Sequence, residues 1–222
     1  MNKNKLFECL EKKKKSDLIS LLSDCYDSMK TSQISEVFSC IRDELSKMPS
    51  DGNTVLKNVK KFFSDSLNGV YYVPFDINSK NFMNVPEETD TWFEKLGEFM
   101  IESSNLSAQG DHVNAVKSFE ILFELSTKLG DDEIVFADEL GMWMLPIDEK
   151  PCISAYFKSA AAILNPDEYA NAVLPVIRED SYSSFCNKAY EKAIRAANKE
   201  QKTALDQMID HHKIKTGKHS KC

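Results

Sequence analysis

The stretch LGEFMIESSNLSAQGDHVNAVKSFEILFELSTKL, residues 96–129, is the most regular part of the chain and decides its fold class. Apolar residues recur at intervals of three and four on both sides of the Gly110-Asp111 turn. This spacing places them on one face of an α-helix, and a glycine between the two segments ends the first helix. The stretch therefore predicts two antiparallel helices packed as a hairpin.

Helical periodicity extends through most of the remaining sequence. Only 7 Gly and 7 Pro occur in 222 residues, which leaves few breaks for the many short strands of a β-fold. An apolar fraction of 42% is sufficient for a sizeable core. We therefore predict an all-α protein of ten or eleven helices, arranged as an irregular, short, solenoid-like stack of antiparallel hairpins.

Breaks in the periodicity suggest a domain organisation. Residues 1–68 form an N-terminal helical part, and residues 69–89 form an extended loop, since they are rich in aromatic and β-branched residues without helical spacing. Residues 90–212 form a C-terminal stack of hairpins, followed by a basic flexible tail at 213–222. One continuous domain is the alternative. Within 131–151, the residues from Ile134 to Leu140 are expected to make two helical turns that end at Gly141.

The sequence QGDHVNAVKSFEILFEL, residues 109–125, resembles the turn and second helix of a tetratricopeptide repeat. In that family a Gly-Asp turn is followed by an alanine and then a large aromatic residue, which are Ala115 and Phe119 here. Ser103 replaces the small residue usual in the first helix, and no proline closes the unit. The resemblance covers one hairpin. It implies an antiparallel pair stacked on other helices and a protein-binding surface rather than an enzyme.

Charge is unevenly distributed along the chain. Residues 87–150 contain 4 basic and 16 acidic groups, a net charge of −12, whereas residues 187–222 contain 9 basic and 4 acidic groups, a net charge of +5. An acidic middle repels a phosphate backbone and attracts basic groups, so we expect a basic or amphipathic protein or peptide partner and no nucleic acid. The alternative is a solvated acidic face that maintains solubility.

The cysteines and the N-terminal sequence indicate the cellular compartment in which the protein is expected. Six widely spaced cysteines without a CxxC pair are typical of free thiols in a reducing compartment. The N-terminus lacks the apolar run of a signal peptide, and no window reaches the roughly 18 apolar residues of a membrane span. We expect a cytoplasmic protein that does not associate with membranes.

No GxSxG, HExxH or glycine-rich phosphate loop occurs in the sequence, so we predict no catalytic residue and no cofactor. The favoured function is that of a protein–protein interaction or adaptor module. Two alternatives remain open. One is a small helical enzyme with a carboxylate-lined pocket, and the other is a regulatory or toxin-neutralising protein that binds one basic partner.

Candidate site residues are chosen by chemistry. Aromatic residues exposed on a concave face would anchor a peptide, and carboxylates after an apolar run would lie near a buried wall. The candidate binding residues are Trp92, Phe99, His112, Asp138, Glu139 and Trp143. Four potential zinc ligands lie near the C-terminus, although their spacing is not a standard zinc pattern: His211, His212, His219 and Cys222. A specific site is expected where residues 131–151 meet the hairpin.

Overall fold

The computed structural model describes residues 2–29, 33, 37–41, 49–74, 85–129, 134–137, 139–182 and 187–214. The chain divides into two compact units, Met1–Leu45 and Ser46–Cys222. Within the described ranges all regular structure is helical, with nine α-helices and two 3-10 turns and no β-strand. The all-α prediction is confirmed, whereas the predicted count of ten or eleven helices is not met. Residues 30–32, 34–36 and 42–48 of the predicted N-terminal helical part lie outside the described residues.

The first unit contains two short amphipathic helices. Helix α1 spans Lys3–Leu10 and α2 spans Lys15–Ser28, and a 3-10 turn follows at Ser39–Ile41. The Asn2 side chain caps α1 by accepting hydrogen bonds from two backbone N–H groups. Neither helix, both of which are fully described, contains a buried residue.

The second unit contains seven described α-helices and one 3-10 turn. They are α3 Gly52–Leu67, α4 Glu87–Gln109, α5 His112–Lys128, the 3-10 turn Gly141–Met144, α6 Glu149–Ile163, α7 Pro166–Tyr182, α8 Ala189–Ala196 and α9 Lys199–His212. Helix α3 packs on α4 and α5, and α6 packs on the same pair from another side. Helices α7 and α8 pack on α6, and α9 packs on α7. The arrangement is a helical bundle.

Helices α4 and α5 are the predicted hairpin. Gly110 adopts a left-handed conformation with φ of +89°, which a residue with a side chain rarely adopts, and ends α4. The side chain of Asp111 then caps α5 by accepting a hydrogen bond from the Asn114 N–H. The apolar residues spaced along both helices are buried at their seam and form much of the core: Leu96, Met100, Leu106, Phe119, Leu122 and Leu125.

Residues 134–137, expected to be helical, are bends instead. Ile134 and Val135 are buried in the core, and Ala137 has a φ of +59°. A left-handed residue is incompatible with continued α-helical hydrogen bonding, so burial of the two apolar side chains outweighs the local helical tendency. Regular secondary structure begins again with the 3-10 turn Gly141–Met144.

The boundaries of the structure are as follows. Helix α3, which falls in residues 1–68, packs on α4 and α5, and the two compact units separate near residue 45. Residues 70–74 form a turn and irregular backbone, and α4 begins at Glu87 within the expected loop. The tail beyond residue 214 lies outside the described residues. None of the described helices has both the length and the apolar content that crossing a membrane requires.

Candidate functional site

A cavity of about 560 Å³ opens between α4, α5, α6 and α7. Its apolar lining includes Met100, Phe123, Ile153, Tyr156 and Val176. Five carboxylates also line it: Glu120, Glu124, Glu149, Glu179 and Asp180. None of the seventeen described lining residues is basic. The cavity lining therefore combines apolar side chains with side chains that carry only negative charge.

The walls of the cavity are three helix faces. On α5 the lining residues Glu120, Phe123, Glu124 and Thr127 follow the spacing i, i+3, i+4 and i+7, which defines one face of a helix. The same spacing occurs on α7, in Ala172, Pro175, Val176 and Glu179. Helix α6 contributes Glu149, Ile153 and Tyr156. Each face mixes acidic and apolar residues, which is the signal in the sequence that could have indicated this site.

Aromatic rings form the base of the cavity. Phe123 stacks on Phe119, with ring centroids 5.8 Å apart, and meets the edge of Tyr156 at 5.2 Å. Such contacts stabilise ring pairs beyond their buried area. Burial raises the pKa of the Tyr156 hydroxyl, so this group stays protonated and donates a hydrogen bond to the Ala172 carbonyl at 3.0 Å. That bond ties α6 to α7 across the base of the cavity.

Pro175 interrupts the backbone hydrogen bonds of the α7 wall. A proline has no N–H, so the carbonyl of Asn171 cannot make its usual α-helical hydrogen bond. The contact from Tyr156 to Ala172 lies beside this interruption. The Tyr156 hydroxyl therefore bonds to the carbonyl next to the one that Pro175 leaves without an α-helical partner.

Burial perturbs the acidic groups of the cavity. It raises the pKa of the Glu149 carboxyl, and the hydrogen bond donated by the Asn187 side chain at 3.1 Å partly offsets this effect. Neighbouring carboxylates raise the same pKa further: Asp148, Asp180 and Glu179. Burial also raises the pKa of Glu120, while Lys117 lowers it. Negative charge at these positions is therefore destabilised, and a cation entering the cavity would relieve that cost.

Asp180 supports one wall of the cavity. Its carboxylate accepts hydrogen bonds from the backbone N–H of Asn187 at 2.5 Å and from that of Ala189 at 2.9 Å. The N-cap residue of α8, Lys188, is left-handed and makes no capping bond, so a side chain from α7 provides the cap. Asn187 is thereby held where its side chain donates to Glu149.

A second cavity, of about 520 Å³, lies near the ends of α3 and α5. Its described lining is Ser66, Leu67, Asn68, Gly69, Tyr72, Lys128 and Ile134. The hydroxyl of Ser66 already accepts a hydrogen bond from Trp92 and donates one to the Phe62 carbonyl. This cavity has only one charged lining residue among those described, so the acidic cavity is the stronger candidate site.

The predicted aromatic residues have different locations. Trp92 is fully buried, and its indole N–H donates to the Ser66 hydroxyl at 2.9 Å. Phe99 is half-buried, with its ring centroid 5.4 Å from that of Phe62. Both belong to the core of the second unit. Trp143 is 65% exposed, although its neighbour Met142 lines the acidic cavity.

Neither His112 nor Glu139 is among the residues that line the cavity. His112 is half-buried at the start of α5, with its Nδ1 atom 3.1 Å from the Ser159 hydroxyl. Glu139 is exposed, and Asp138 lies outside the described residues. Two residues of the segment 131–151, Met142 and Glu149, line the cavity together with residues of the hairpin.

The predicted metal ligands are only partly described. The rings of His211 and His212 meet edge to face at the end of α9, with centroids 4.9 Å apart. His219 and Cys222 lie outside the described residues. Among the residues with described positions, no three His, Cys, Asp or Glu side chains are grouped so that they could hold a metal ion.

No protein-family model, curated protein or solved structure matches this chain. The fold and the site thus define an all-α protein with an acidic, partly apolar cavity between four helices. This arrangement suits a ligand that carries both positive charge and apolar surface.

Proposed function

We infer that the protein is a cytoplasmic interaction module whose acidic cavity binds a basic, amphipathic segment of a partner protein. The observation that carries this proposal is the composition of the cavity, which has an aromatic and aliphatic base, five carboxylates and no basic residue among its described lining residues. Charge complementarity of this kind steers association and sets specificity.

The size of the cavity indicates what part of a partner enters it. A volume of about 560 Å³ accommodates a few side chains rather than a folded domain. Burying one large apolar side chain against Phe123 and Tyr156 contributes about 1.5–3 kcal/mol. The aliphatic stem of a lysine or arginine can cover the same rings while its charged end reaches a carboxylate.

The positions of the acids favour a segment with cations on both sides of an apolar anchor. Glu120 and Glu124 lie on α5, whereas Glu179 and Asp180 lie on α7, with the aromatic base on α5 and α6. An amphipathic helix presents residues in this way at spacings of three and four, and helices commonly bind in such grooves. The partial burial of Glu149 strengthens the preference, because a cation relieves the cost of its ionisation.

The proposal is tested with a synthetic amphipathic helical peptide that has leucine and phenylalanine on one face and lysine on the other. Binding of the labelled peptide to the full chain is measured by fluorescence anisotropy at about 50 mM and about 500 mM salt. Glu149→Gln should weaken binding about tenfold. Val176→Trp, which fills the cavity, should weaken it more. Glu200→Gln removes the same charge from an exposed position on α9 and is the matched control.

Equal effects of Glu149→Gln and Glu200→Gln would contradict the proposal, because they would show general attraction to an acidic protein. Unchanged affinity of Val176→Trp would also contradict it. A version of the peptide with glutamate in place of lysine should not bind. A regulatory protein that neutralises one basic partner would use the same cavity and would differ by a far higher affinity for that partner.

A second candidate is a small helical enzyme. It is favoured by the raised pKa of the half-buried Glu149, because a carboxyl with a raised pKa keeps its proton to a higher pH than an exposed carboxyl does and can donate it as a general acid. Mass spectrometry of the same peptide after incubation separates the two candidates. Cleavage or modification that Glu149→Gln abolishes would favour the enzyme, whereas an unchanged peptide would favour the interaction module.

A further inference from the structure

Lys192 on α8 holds its charge at a neutral partner, the hydroxyl of Ser154 on α6. The Lys192 ammonium donates a hydrogen bond to that hydroxyl, with 2.8 Å between nitrogen and oxygen. The hydroxyl donates in turn to the Lys150 carbonyl, also at 2.8 Å. Lys192 and Ser154 are both half-buried. Ammonium groups make their strongest hydrogen bonds to anions, so Lys192 is fixed in place without the kind of partner that suits it best.

Two hydrogen bonds show how α6 and α8 lie side by side. Asn187, just before α8, donates to Glu149 at the start of α6, and Lys192 donates to Ser154 farther along both helices. Each bond joins residues 38 positions apart, so the two helices run in the same direction with a constant offset. The faces of α6 and α8 that carry Ser154 and Lys192 therefore form the two sides of one groove.

The charged residues around this contact are basic. Residues three or four positions apart lie on the same face of a helix. Every charged residue of α6 or α8 at those distances from Ser154 or Lys192 is a lysine or an arginine. They are Lys150, Lys158 and Arg195. We call the surface formed by Lys150, Ser154, Lys158 and Lys192 the basic groove.

The carboxylates closest to the basic groove along the chain have other roles. Asp148 caps α6 by accepting a hydrogen bond from the Lys150 N–H at 3.0 Å, and Glu149 lines the acidic cavity. Glu191 pairs with Arg195 at 3.8 Å. Of the described residues, no carboxylate forms an ion pair with any of the three lysines of the groove. Their mutual repulsion is therefore uncompensated, and an anion bound among them would relieve it.

We propose that the basic groove binds a phosphate group in the form of a phosphomonoester dianion. Such a group carries about −1.5 to −2 charges at neutral pH and has three strong acceptor oxygens. Lys150, Lys158 and Lys192 supply the ammonium donors, and the Ser154 hydroxyl donates to the phosphate instead of to the Lys150 carbonyl. Lysine serves in this role as a compact point charge on a flexible stem. The proposal does not rest on the function inferred for the acidic cavity, which lies on another face of α6.

The basic groove suits one phosphate group rather than a membrane surface or a nucleic acid backbone. Lys150 and Lys158 lie about 12 Å apart along the axis of α6, so their side chains can approach Ser154 from both sides. Membrane-surface helices carry large apolar residues beside their cations, and α8, all of whose residues are described, exposes none. The nearby acidic cavity would repel a longer polyanion.

Isothermal titration calorimetry of the full chain with methyl phosphate at constant ionic strength tests the site. We expect saturable binding, although the protein has a net charge of −7 and repels anions as a whole. Lys192→Met keeps an unbranched side chain without the charge and should raise the dissociation constant at least about tenfold. Lys60→Met, at an exposed position of α3, is the matched control and should leave the dissociation constant unchanged.

Absence of saturable binding, or equal losses in Lys192→Met and Lys60→Met, would overturn the proposal. Circular dichroism verifies that each variant folds. Lys158→Met replaces an exposed lysine of the same groove, so the site is still tested if the half-buried position of Lys192 does not tolerate the change. Lys158→Met should also weaken binding, and an affinity equal to that of the parent chain would count against the groove.

Two further ligands test the charge and the source of the phosphate group. Methyl sulfate has the same shape with a single negative charge and should bind at least about tenfold more weakly, because the groove selects a dianion. Equal affinity for the two esters would refute this selectivity. A short neutral peptide that contains one phosphoserine carries the same group. An affinity equal to that of methyl phosphate would identify a free phosphomonoester as the ligand, and tighter binding would identify a phosphorylated protein segment.

Discussion

Replacing Asp180 with alanine should destabilise the second unit and loosen one wall of the acidic cavity. The Asp180 carboxylate accepts two backbone hydrogen bonds, at 2.5 Å from Asn187 and at 2.9 Å from Ala189, and it provides the cap that Lys188 does not. A hydrogen bond to a charged group contributes about 1.5–3 kcal/mol. Since the site is only partly buried, we expect a total loss of about 2–3 kcal/mol, near the upper end of N-cap replacements.

Urea unfolding monitored by circular dichroism gives the change in the free energy of unfolding. In a chain of this size the expected loss lowers the melting temperature by about 4–12 °C. Hydrogen exchange provides a local measurement, because the N–H groups of Asn187 and Ala189 should lose protection before those in α6. Asp180→Asn keeps one acceptor and should be intermediate between the parent and the alanine variant.

Glu179→Gln is the matched control. It removes a carboxylate from the neighbouring position on the same cavity wall, and the Glu179 side chain accepts no hydrogen bond from the described residues. We expect its stability to lie within about 0.5 kcal/mol of the parent. If Asp180→Ala were as stable as Glu179→Gln, the carboxylate would not be the cap of α8, and the reasoning would be refuted.

Three further predictions concern single side chains. The raised pKa of Glu149 means that its ionisation opposes folding, so the stability gained in Glu149→Gln should be small below the ordinary carboxyl pKa of 4.5, should increase between that value and the raised folded-state pKa, and should be constant above it. Trp92→Phe, which removes the indole donor from Ser66, should cost about 1–3 kcal/mol in thermal unfolding. Gln201→Ala should cost about 2–3 kcal/mol, because this buried amide donates to the Ala161 and Leu164 carbonyls; Lys202→Ala is its control.

The hairpin could be predicted because its determinants are local. The interval of three and four residues fixes which side chains share a helix face, and Gly110 fixes where the first helix ends. Both depend on neighbours within a few positions. The sequence also indicated the acidic middle of the chain, since net charge does not depend on the fold.

The exposure of the aromatic residues could not be predicted in the same way. Trp92 is buried and hydrogen-bonded to Ser66 on α3, whereas Trp143 is 65% exposed. The two residues have the same chemistry, and only the position of the helices around each decides its exposure. Residues 134–137 show a similar effect, because the core buries Ile134 and Val135 in a conformation that their local sequence does not favour.

The sequence by itself determined an all-α protein, its central hairpin and the net negative charge of residues 87–150. Tertiary structure alone decided that Glu120 on α5, Glu149 on α6 and Glu179 on α7 line one cavity around Phe123 and Tyr156. Helical periodicity fixes the face of its own helix on which a side chain lies. It contains no information about which face of another helix packs against that face. Distant helices come together through burial and a few specific hydrogen bonds, and those interactions exist only in the folded chain.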